Sequence, residues 1–355
     1  MFQIEMLPAR EGDCLWIRYG DAGAPRQVLI DGGRLGTYRD IKDRLQALPD
    51  DQREFELFVI THVDRDHIEG ALALLTDPDL GLTFKEVWFN GYDHLVPSDL
   101  EHFGAVQGEK LTTALLVRNE LWNTSFDGGP VKVTDDGELP QVDLAGGLTL
   151  TLLSPDSEKL AKLKPQWLKE CEEAGLQPGI EARRSEIEGL ETLGGIPDVE
   201  KLAAKPLKPD TTLPNGSSIA ILAEYDGMRV LLGADAHVDR LLSSVQALVG
   251  AGERLQLDAF KLPHHGSSGN VSKEMLELLD CPRYLISTNG SYFKHPTGEA
   301  IARILKFGGA SKTLYFNYAS DYTSLWDDDG LKNDYDYHVE YPADGDGTLR
   351  VTLQD

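Results

Sequence analysis

Four side chains of the types that bind metal ions lie within six residues, in the segment His62-Val-Asp-Arg-Asp-His67. Because alternate residues at the end of a strand point the same way, we expect His62 and Asp64 to bind one ion. Asp66 and His67 occupy the turn into the next helix and can face a second ion. Imidazole and carboxylate ligands suit zinc, manganese or iron.

Further ligand types follow two later apolar runs. RVLLG is followed by Asp235, and DAFKLP is followed by His264 and His265. Taken singly, Asp235 would be an ordinary turn residue and the two histidines surface residues. Their order behind successive apolar runs favours a site instead. Two ions about 3.5–4 Å apart would hold a bridging hydroxide nucleophile and stabilise the transition-state oxyanion, so the pattern predicts a two-metal hydrolytic centre.

Strands of a layered α/β protein are expected to position these residues. Runs rich in Val, Ile, Leu and aromatic residues predict strands at 14–19, 27–31, 57–61, 86–90, 148–154, 218–225, 229–235, 258–263 and 283–288. Helical patterns lie at 37–48, 66–76, 108–121, 238–249, 271–280 and 297–307. This mixture predicts helices that cover sheet faces, with the active-site side chains gathered at strand ends.

Two segments differ from this pattern. Residues 156–210 are rich in Lys and Glu and poor in β-branched residues, which predicts a mostly helical insertion in a single domain spanning 1–355. The insertion is either a partner-binding surface or a solvated excursion. The aromatic and acidic tail, 311–355, closes on LRVTLQ and is expected to form a late strand pair.

Composition restricts the partners and the compartment. The formal net charge of −25 repels nucleic-acid backbone and anionic membrane unless a basic patch or bound cations reverse the field, whereas it attracts metal ions. Cys14, Cys171 and Cys281 are far apart and form no CxxC pair, as is typical of a reducing compartment. The chain shows no signal-peptide pattern and no apolar run long enough to span a bilayer, so we expect a cytoplasmic protein without a membrane partner.

The segment THVDRDHIEG resembles the HxHxDH signature of the metallo-β-lactamase superfamily, with Asp64 in place of the second histidine. Together with LIDGG, PNGSSIAIL, LLGAD, LPHHGSSGN and ISTNGSYFKHP, it is similar to the hydrolase domain of the ComEC competence family and its stand-alone relatives. The resemblance covers residues 1–75 and 214–300. It implies a four-layer αββα sandwich with the metals at one edge, and phosphodiesterase or nuclease activity on nucleic acid or nucleotides.

Carried over position by position, the resemblance assigns ligands to each ion. It implies that His62 and Asp64 bind the first ion and that Asp66 and His67 bind the second. Asp235 would bridge the two ions.

The two adjacent histidines are given different roles. The resemblance favours His265 as a ligand of the second ion, with His264 contacting the substrate or serving in its place. The residues expected to act on the substrate are Asp66, His264 and His295. His295 would protonate the leaving group or hold a phosphate oxygen, and a structural role at the His-Pro turn is the alternative.

The sequence departs from the family pattern at the first ion. The usual Gly-His ligand between the two halves of the fold is missing, and its neighbourhood reads LTLLSPDS. His94 is a candidate substitute, although a surface or core histidine is the default. With three carboxylates in the site, Mn²⁺ becomes a rival to Zn²⁺.

The PNGSSIAIL segment offers polar side chains that could bind substrate. Asn215 and Ser217, with Ser218, would line the site, although a turn that opens a strand explains them equally well.

Two other functions remain open. The same centre could hydrolyse a carbon ester, a lactone or an amide, including a β-lactam. Alternatively, the chain is a non-enzymatic module whose insertion and acidic tail bind a protein partner.

Overall fold

A computed structural model describes residues 1–95, 106–116, 121–173, 196–250, 252–343, 345 and 347–355. Its strands are β1 (Phe2–Met6), β2 (Leu15–Tyr19), β3 (Arg26–Ile30), β4 (Glu54–Phe55), β5 (Leu57–Val59), β6 (Thr83–Phe84), β7 (Val87–Trp88), β8 (Gln141–Leu144), β9 (Leu148–Ser154), β10 (Ala220–Tyr225), β11 (Met228–Leu232), β12 (Leu255–Gln256), β13 (Ala259–Lys261), β14 (Leu279–Asp280), β15 (Arg283–Ile286), β16 (Lys312–Phe316), β17 (Tyr337–Glu340) and β18 (Leu349–Gln354). Its α-helices are α1 (Tyr38–Gln46), α2 (Arg65–Thr76), α3 (Val106–Leu116), α4 (Ser157–Glu173), α5 (Val199–Ala203), α6 (Leu213–Gly216), α7 (Val238–Leu248), α8 (Lys273–Glu277), α9 (Gly298–Phe307) and α10 (Asp329–Tyr335).

Two mixed sheets form the centre of the molecule. The first has the strand order β18-β1-β2-β3-β5-β7, in which β3, β5 and β7 run parallel and the other pairs are antiparallel. The second has the order β17-β16-β15-β13-β11-β10-β9-β8, in which β11 to β17 run parallel and β8 to β11 antiparallel. Two short parallel pairs, β4-β6 and β12-β14, lie apart from these sheets.

Three apolar cores separate four layers. Ile17 and Val230, from the two sheets, belong to the core between the sheets. Their neighbours Trp16 and Leu231 point the opposite way, into the cores under the two outer layers of helices, because successive strand residues face opposite sides. The α/β/β/α order confirms the predicted fold class, a four-layer αββα sandwich.

The elements expected from sequence are present, and most of them are shorter than predicted. Strands β2, β3, β5, β7, β9, β10, β11, β13 and β15 lie within the predicted runs, give or take one residue. Helices α1, α2, α3, α7, α8 and α9 lie at or within two residues of the helical patterns, although 117–120 of the pattern at 108–121 lie outside the described residues. The polar residues that follow each strand therefore lie in loops, where their side chains are free to converge.

The tail does contain a strand pair, because β16 and β17 pair in parallel, but its last run joins the other sheet. The LRVTLQ run forms β18, which pairs antiparallel with β1 at the other end of the sequence. The N-terminal run was not predicted as a strand, yet Phe2, Ile4 and Met6 alternate into the core between the sheets. This alternation makes the N-terminal run a strand, and β18 pairs with that strand.

The described part of the 156–210 segment is anchored at both ends. Trp167 on α4 packs in the core beside the first sheet, whereas Val199 and Ala203 on α5 pack in the core beside the second sheet. Residues 174–195 of the predicted insertion lie outside the described residues. Among the helices that are described, none has both the length and the apolar character needed to cross a membrane.

Candidate metal centre

The candidate ligands converge where strands from both sheets end. Strand β5 leads to His62, and the first turn of α2 carries Asp66 and His67. From the second sheet, β11 leads to Asp235 and β13 leads to His265. Each half of the chain therefore supplies part of one cluster, at the edge where ligand sites of such folds form.

One compact group fits a single divalent ion. His67 Nε2 lies 3.3 Å from His265 Nε2 and 3.4 Å from Asp235 Oδ1. His265 Nε2 lies 3.7 Å from Asp66 Oδ2 and 3.6 Å from Asp235 Oδ2. A tetrahedral ion with bonds of about 2.0–2.2 Å separates its ligand atoms by about 3.3–3.6 Å, which is close to each of these four distances. Asp66, His67 and His265 form one compact group, and a different oxygen of Asp235 faces each histidine.

Hydrogen bonding shows that the two facing nitrogens need a cation between them. His67 Nδ1 contacts Asp31 Oδ2 at 2.8 Å, and His265 Nδ1 contacts the backbone oxygen of Ser287 at 3.0 Å. A carboxylate and a carbonyl can only accept hydrogen bonds, so each Nδ1 donates and each neutral ring keeps a lone pair on Nε2. Two buried lone pairs 3.3 Å apart require a proton or a metal ion. The residues present therefore fit a metal.

A close approach of two backbones fixes His67 against Asp31. A Cβ atom on Gly32 would lie 2.0 Å from the nitrogen of Ala71, and one on Gly70 would lie 1.8 Å from the oxygen of Gly32. Only glycine at both positions lets the start of α2 pack this tightly behind β3. The LIDGG segment thus positions a metal ligand.

The candidate site for the first ion offers fewer side chains at close spacing. His62 Nε2 lies 3.6 Å from Asp64 Oδ2 and 3.8 Å from Asp235 Oδ2. This nitrogen is buried and has no hydrogen-bond partner among the described residues. Asp64 precedes α2 at its N-cap position, but its carboxylate makes no capping hydrogen bond and is left beside His62. The compact group that contains His62 is completed by His67 and Asp235, whereas Asp64 lies beside it.

The geometry separates the two adjacent histidines. His265 belongs to compact groups of potential ligands, whereas His264 belongs to none of those found among the described residues. His264 Nε2 lies 3.8 Å from Asp235 Oδ2, and its Nδ1 lies 3.2 Å from Asp210 Oδ2. Burial disfavours charge on His264, but the carboxylates of Asp235 and Asp210 outweigh it and raise its pKa to about 9. His264 thus stands beside the cluster as a proton-carrying group.

His295 lies next to His264, at the outer side of the centre. The two ring centroids are 5.0 Å apart in an edge-to-face arrangement. His295 is 8% exposed, and its Nδ1 has no hydrogen-bond partner among the described residues. Burial and the neighbouring His264 lower the pKa of His295 well below its ordinary value, so the ring is neutral.

The other predicted residues lie around the centre rather than in it. Asn215 donates from Nδ2 to Asp210 Oδ2 at 2.6 Å, and Ser217 donates to the backbone oxygen of Pro214 at 2.6 Å. Ser218 is buried. These contacts give Asn215 a part in holding Asp210, and substrate binding by Asn215 and Ser217 stays a prediction.

His94 is committed to the backbone of its own loop. Its Nε2 lies 3.1 Å from the oxygen of Gly128, and its Nδ1 accepts from the nitrogen of Gly91 at 3.2 Å. Burial lowers the pKa of His94. The ring therefore has a structural role, and it does not replace the missing histidine of the first ion.

A buried ion pair beneath the centre was not found from sequence. Asp13, in the loop between β1 and β2, accepts from Lys261 Nζ at 2.6 Å. Asp13 Oδ1 lies 3.5 Å from His265 Nδ1. Burial opposes the charge of Asp13, but Lys261 and the nearby histidines hold its pKa well below the usual range. The pair thus keeps a carboxylate ionised directly behind a ligand.

Strained backbone conformations also occur in the loops of the centre. Asp31, Ala234, His264 and His265 all have positive φ angles, of 58°, 46°, 47° and 53°. Such conformations are costly for residues other than glycine and persist where the surroundings enforce them. The strain turns the ligand loops inward.

Comparison with known proteins adds two distant structural likenesses. No protein-family model and no curated protein matches the chain. The chain is similar to CmlA, a diiron β-hydroxylase from Streptomyces venezuelae, with a TM-score of 0.41 and 13% identity over 99% of this chain and 54% of that chain. It thus spans about half the length of that protein. It is also similar to a Parabacteroides distasonis protein named as a candidate metal-dependent hydrolase, with a TM-score of 0.35 and 11% identity over 96% of this chain and 98% of that chain.

Proposed function

We propose that the protein is a metal-dependent phosphodiesterase of the ComEC-like branch, acting on nucleic acid or nucleotides. The observation that carries the proposal is the convergence of His67 and His265 Nε2 on the carboxylates of Asp66 and Asp235 at ligand spacing. When bound, Zn²⁺ or Mn²⁺ ions would supply Lewis acidity and lower the pKa of a water molecule. Three carboxylates among the candidate ligands make the hard Mn²⁺ ion as suitable as Zn²⁺.

The residues beside the cluster suit the departure of an alkoxide. Water would attack phosphorus and release one proton to the solvent, and the bond to the departing oxygen would break. That oxygen would take a proton from His264 Nε2, which the solvent then reprotonates. Asp210 holds the opposite nitrogen of His264 at 3.2 Å and keeps the ring turned toward Asp235. His295 supplies a neutral ring whose unpaired Nδ1 can contact a phosphate oxygen.

The acidic surface narrows the substrate class. Binding along a duplex depends on neutralising many phosphates. The formal charge of −25 therefore disfavours a long duplex as the substrate. A nucleotide or a short single strand needs few such contacts. We further propose that residues 156–210 bind a protein partner and that the protein is cytoplasmic.

The test combines metal content with turnover. Protein purified without chelator is analysed for metals and assayed with bis-p-nitrophenyl phosphate and single-stranded DNA in Mn²⁺, Zn²⁺ or Fe²⁺. We expect close to two ions per chain, and loss of both metal and activity in Asp235→Ala. Asp143→Ala is the control, because Asp143 is an exposed residue on β8. Absence of turnover with all three metals would refute the proposal.

Hydrolysis of a carbon ester, lactone or amide is the second candidate. The sparse ligand set at His62 favours it, because a single well-held ion is enough for some acyl hydrolysis. Rapid turnover of a lactone or nitrocefin, with both phosphodiesters inert, would reverse the ranking.

A further inference from the structure

The loop that follows β15 is built to hold two aromatic side chains at the surface. Asn289 Oδ1 accepts from the nitrogen of Ser291 at 3.0 Å, and the nitrogen of Lys294 donates to the oxygen of Gly290 at 3.2 Å. Gly290 has a φ of 71°, and a Cβ there would lie 2.4 Å from the ring of Tyr322. The hydrogen bonds and this close contact fix the direction of the loop tip.

Tyr292 and Phe293 occupy that tip. They are 44% and 41% exposed, and no other aromatic side chain among the described residues is as exposed. Their centroids lie 4.6 Å apart, nearly perpendicular at 82°. Burying rings of this size contributes strongly to stability, so two neighbouring exposed rings mark a surface for binding.

The rings connect directly to the metal centre. Phe293 lies nearly parallel to His295, with 20° between the planes and 6.1 Å between centroids. Phe293 is also 6.4 Å from the ring of His264. The His295 ring thus neighbours both the exposed Phe293 ring and His264, the candidate proton donor.

Cationic groups accompany the rings on an otherwise acidic protein. The Arg34 guanidinium lies 5.7 Å from the Tyr292 centroid, although Glu11 also pairs with it at 2.8 Å. The Lys294 ammonium lies 5.6 Å from the Tyr322 ring. Aromatic rings beside Arg and Lys provide what a nucleotide needs, namely a stacking surface for the base and charge for the phosphate.

We propose that Tyr292 and Phe293 form a stacking subsite for a nucleobase whose phosphate lies at the metal centre. The position of the phosphate in this inference rests on the proposed function. The new element is that the protein recognises the base by stacking against its flat face. A base in a duplex is already stacked on its neighbours, so the subsite selects single-stranded or mononucleotide ligands.

Calorimetric titration of the Zn²⁺-loaded protein with AMP and with ribose 5-phosphate tests the subsite without any turnover. The two ligands share the sugar phosphate and differ in the base. We expect AMP to bind about 5- to 150-fold more tightly, the range measured for stacking on aromatic residues. Phe293→Leu should remove most of this ratio and leave ribose 5-phosphate unaffected, whereas Phe293→Tyr should retain it. Metal content should not change in either variant.

Equal binding of the two ligands by the unaltered protein, including undetectable binding of both, would overturn the inference. An equal loss of affinity for both ligands in Phe293→Leu would also overturn it. A base preference in a protein that cleaves no phosphodiester would leave the subsite standing and remove the proposed function. Phosphodiester cleavage without a base preference would do the reverse.

Discussion

Asp31 lies directly behind His67, and its Oδ2 accepts a hydrogen bond from His67 Nδ1 at 2.8 Å. The other oxygen of Asp31 accepts from the backbone nitrogen of Thr61 at 2.8 Å, so the carboxylate cannot rotate freely. This contact sets the tautomer of His67 and directs its Nε2 at the other candidate ligands. It also makes that nitrogen more basic and therefore a stronger metal ligand.

Asp31→Asn should therefore weaken metal binding by about 10- to 100-fold, as removal of such orienting carboxylates generally does. Competition with a chromophoric chelator measures the affinity. Asp143→Asn serves as the matched control and should bind metal like the unaltered protein. An unchanged affinity in Asp31→Asn would mean that His67 does not need this carboxylate for its orientation.

The two ions should be lost separately. His62→Ala removes a ligand of the sparse first site and leaves the Asp66, His67 and His265 group intact. We expect it to retain one ion per chain after dialysis, whereas His265→Ala should lose the tightly bound ion. Elemental analysis of dialysed protein distinguishes these outcomes. Loss of both ions in His62→Ala would show that the first site supports the second.

Lys261→Met should destabilise the fold by about 3–5 kcal/mol, because it leaves the buried Asp13 carboxylate without its cation. The double variant Asp13→Asn/Lys261→Met removes both charges and should recover much of the loss. Urea unfolding of metal-free samples measures both free energies. If the single and double variants are equally unstable, packing of the lysine chain rather than charge pairing is responsible.

Metal binding should weaken as the pH falls. Burial disfavours a charged His67, but Asp235 and Asp31 outweigh it and raise its pKa well above the ordinary value. His67 in the metal-free protein is therefore protonated at pH 7, and the ion must displace that proton. Affinity should fall by up to about tenfold for each pH unit below neutrality.

Calorimetry in buffers of different ionisation enthalpy counts the protons released at pH 7. About one is expected from His67. Release of none would show that this ring is neutral before the metal binds.

Local sequence patterns indicated the candidate ligands because each lies next to the strand that positions it. His62 to His67 span one strand end and one helix start, and Asp235 and His265 directly follow apolar runs. The Asp13–Lys261 pair could not be found this way, because its members are 248 positions apart and meet only when the two sheets pack together.

The role of Asp31 could be predicted from the sequence only in part. The LIDGG segment, which contains Asp31, is part of the resemblance to the ComEC competence family. The contact with His67 depends on the tight packing of Gly32 against Gly70, which no periodicity indicates. The pairing of β1 with β18 was not predicted either, because the residue pattern of a strand does not specify which distant strand pairs with it.

The pairing of β1 with β18 has a consequence for biosynthesis. Arg350 on β18 reaches Glu5 on β1, and the two residues are 345 positions apart. Strand β1 is therefore synthesised long before its neighbour β18. Until β18 is made, one side of β1 exposes unpaired backbone groups, which are the usual starting point for aggregation. The nascent chain is therefore exposed to misassembly at this edge until β18 leaves the ribosome.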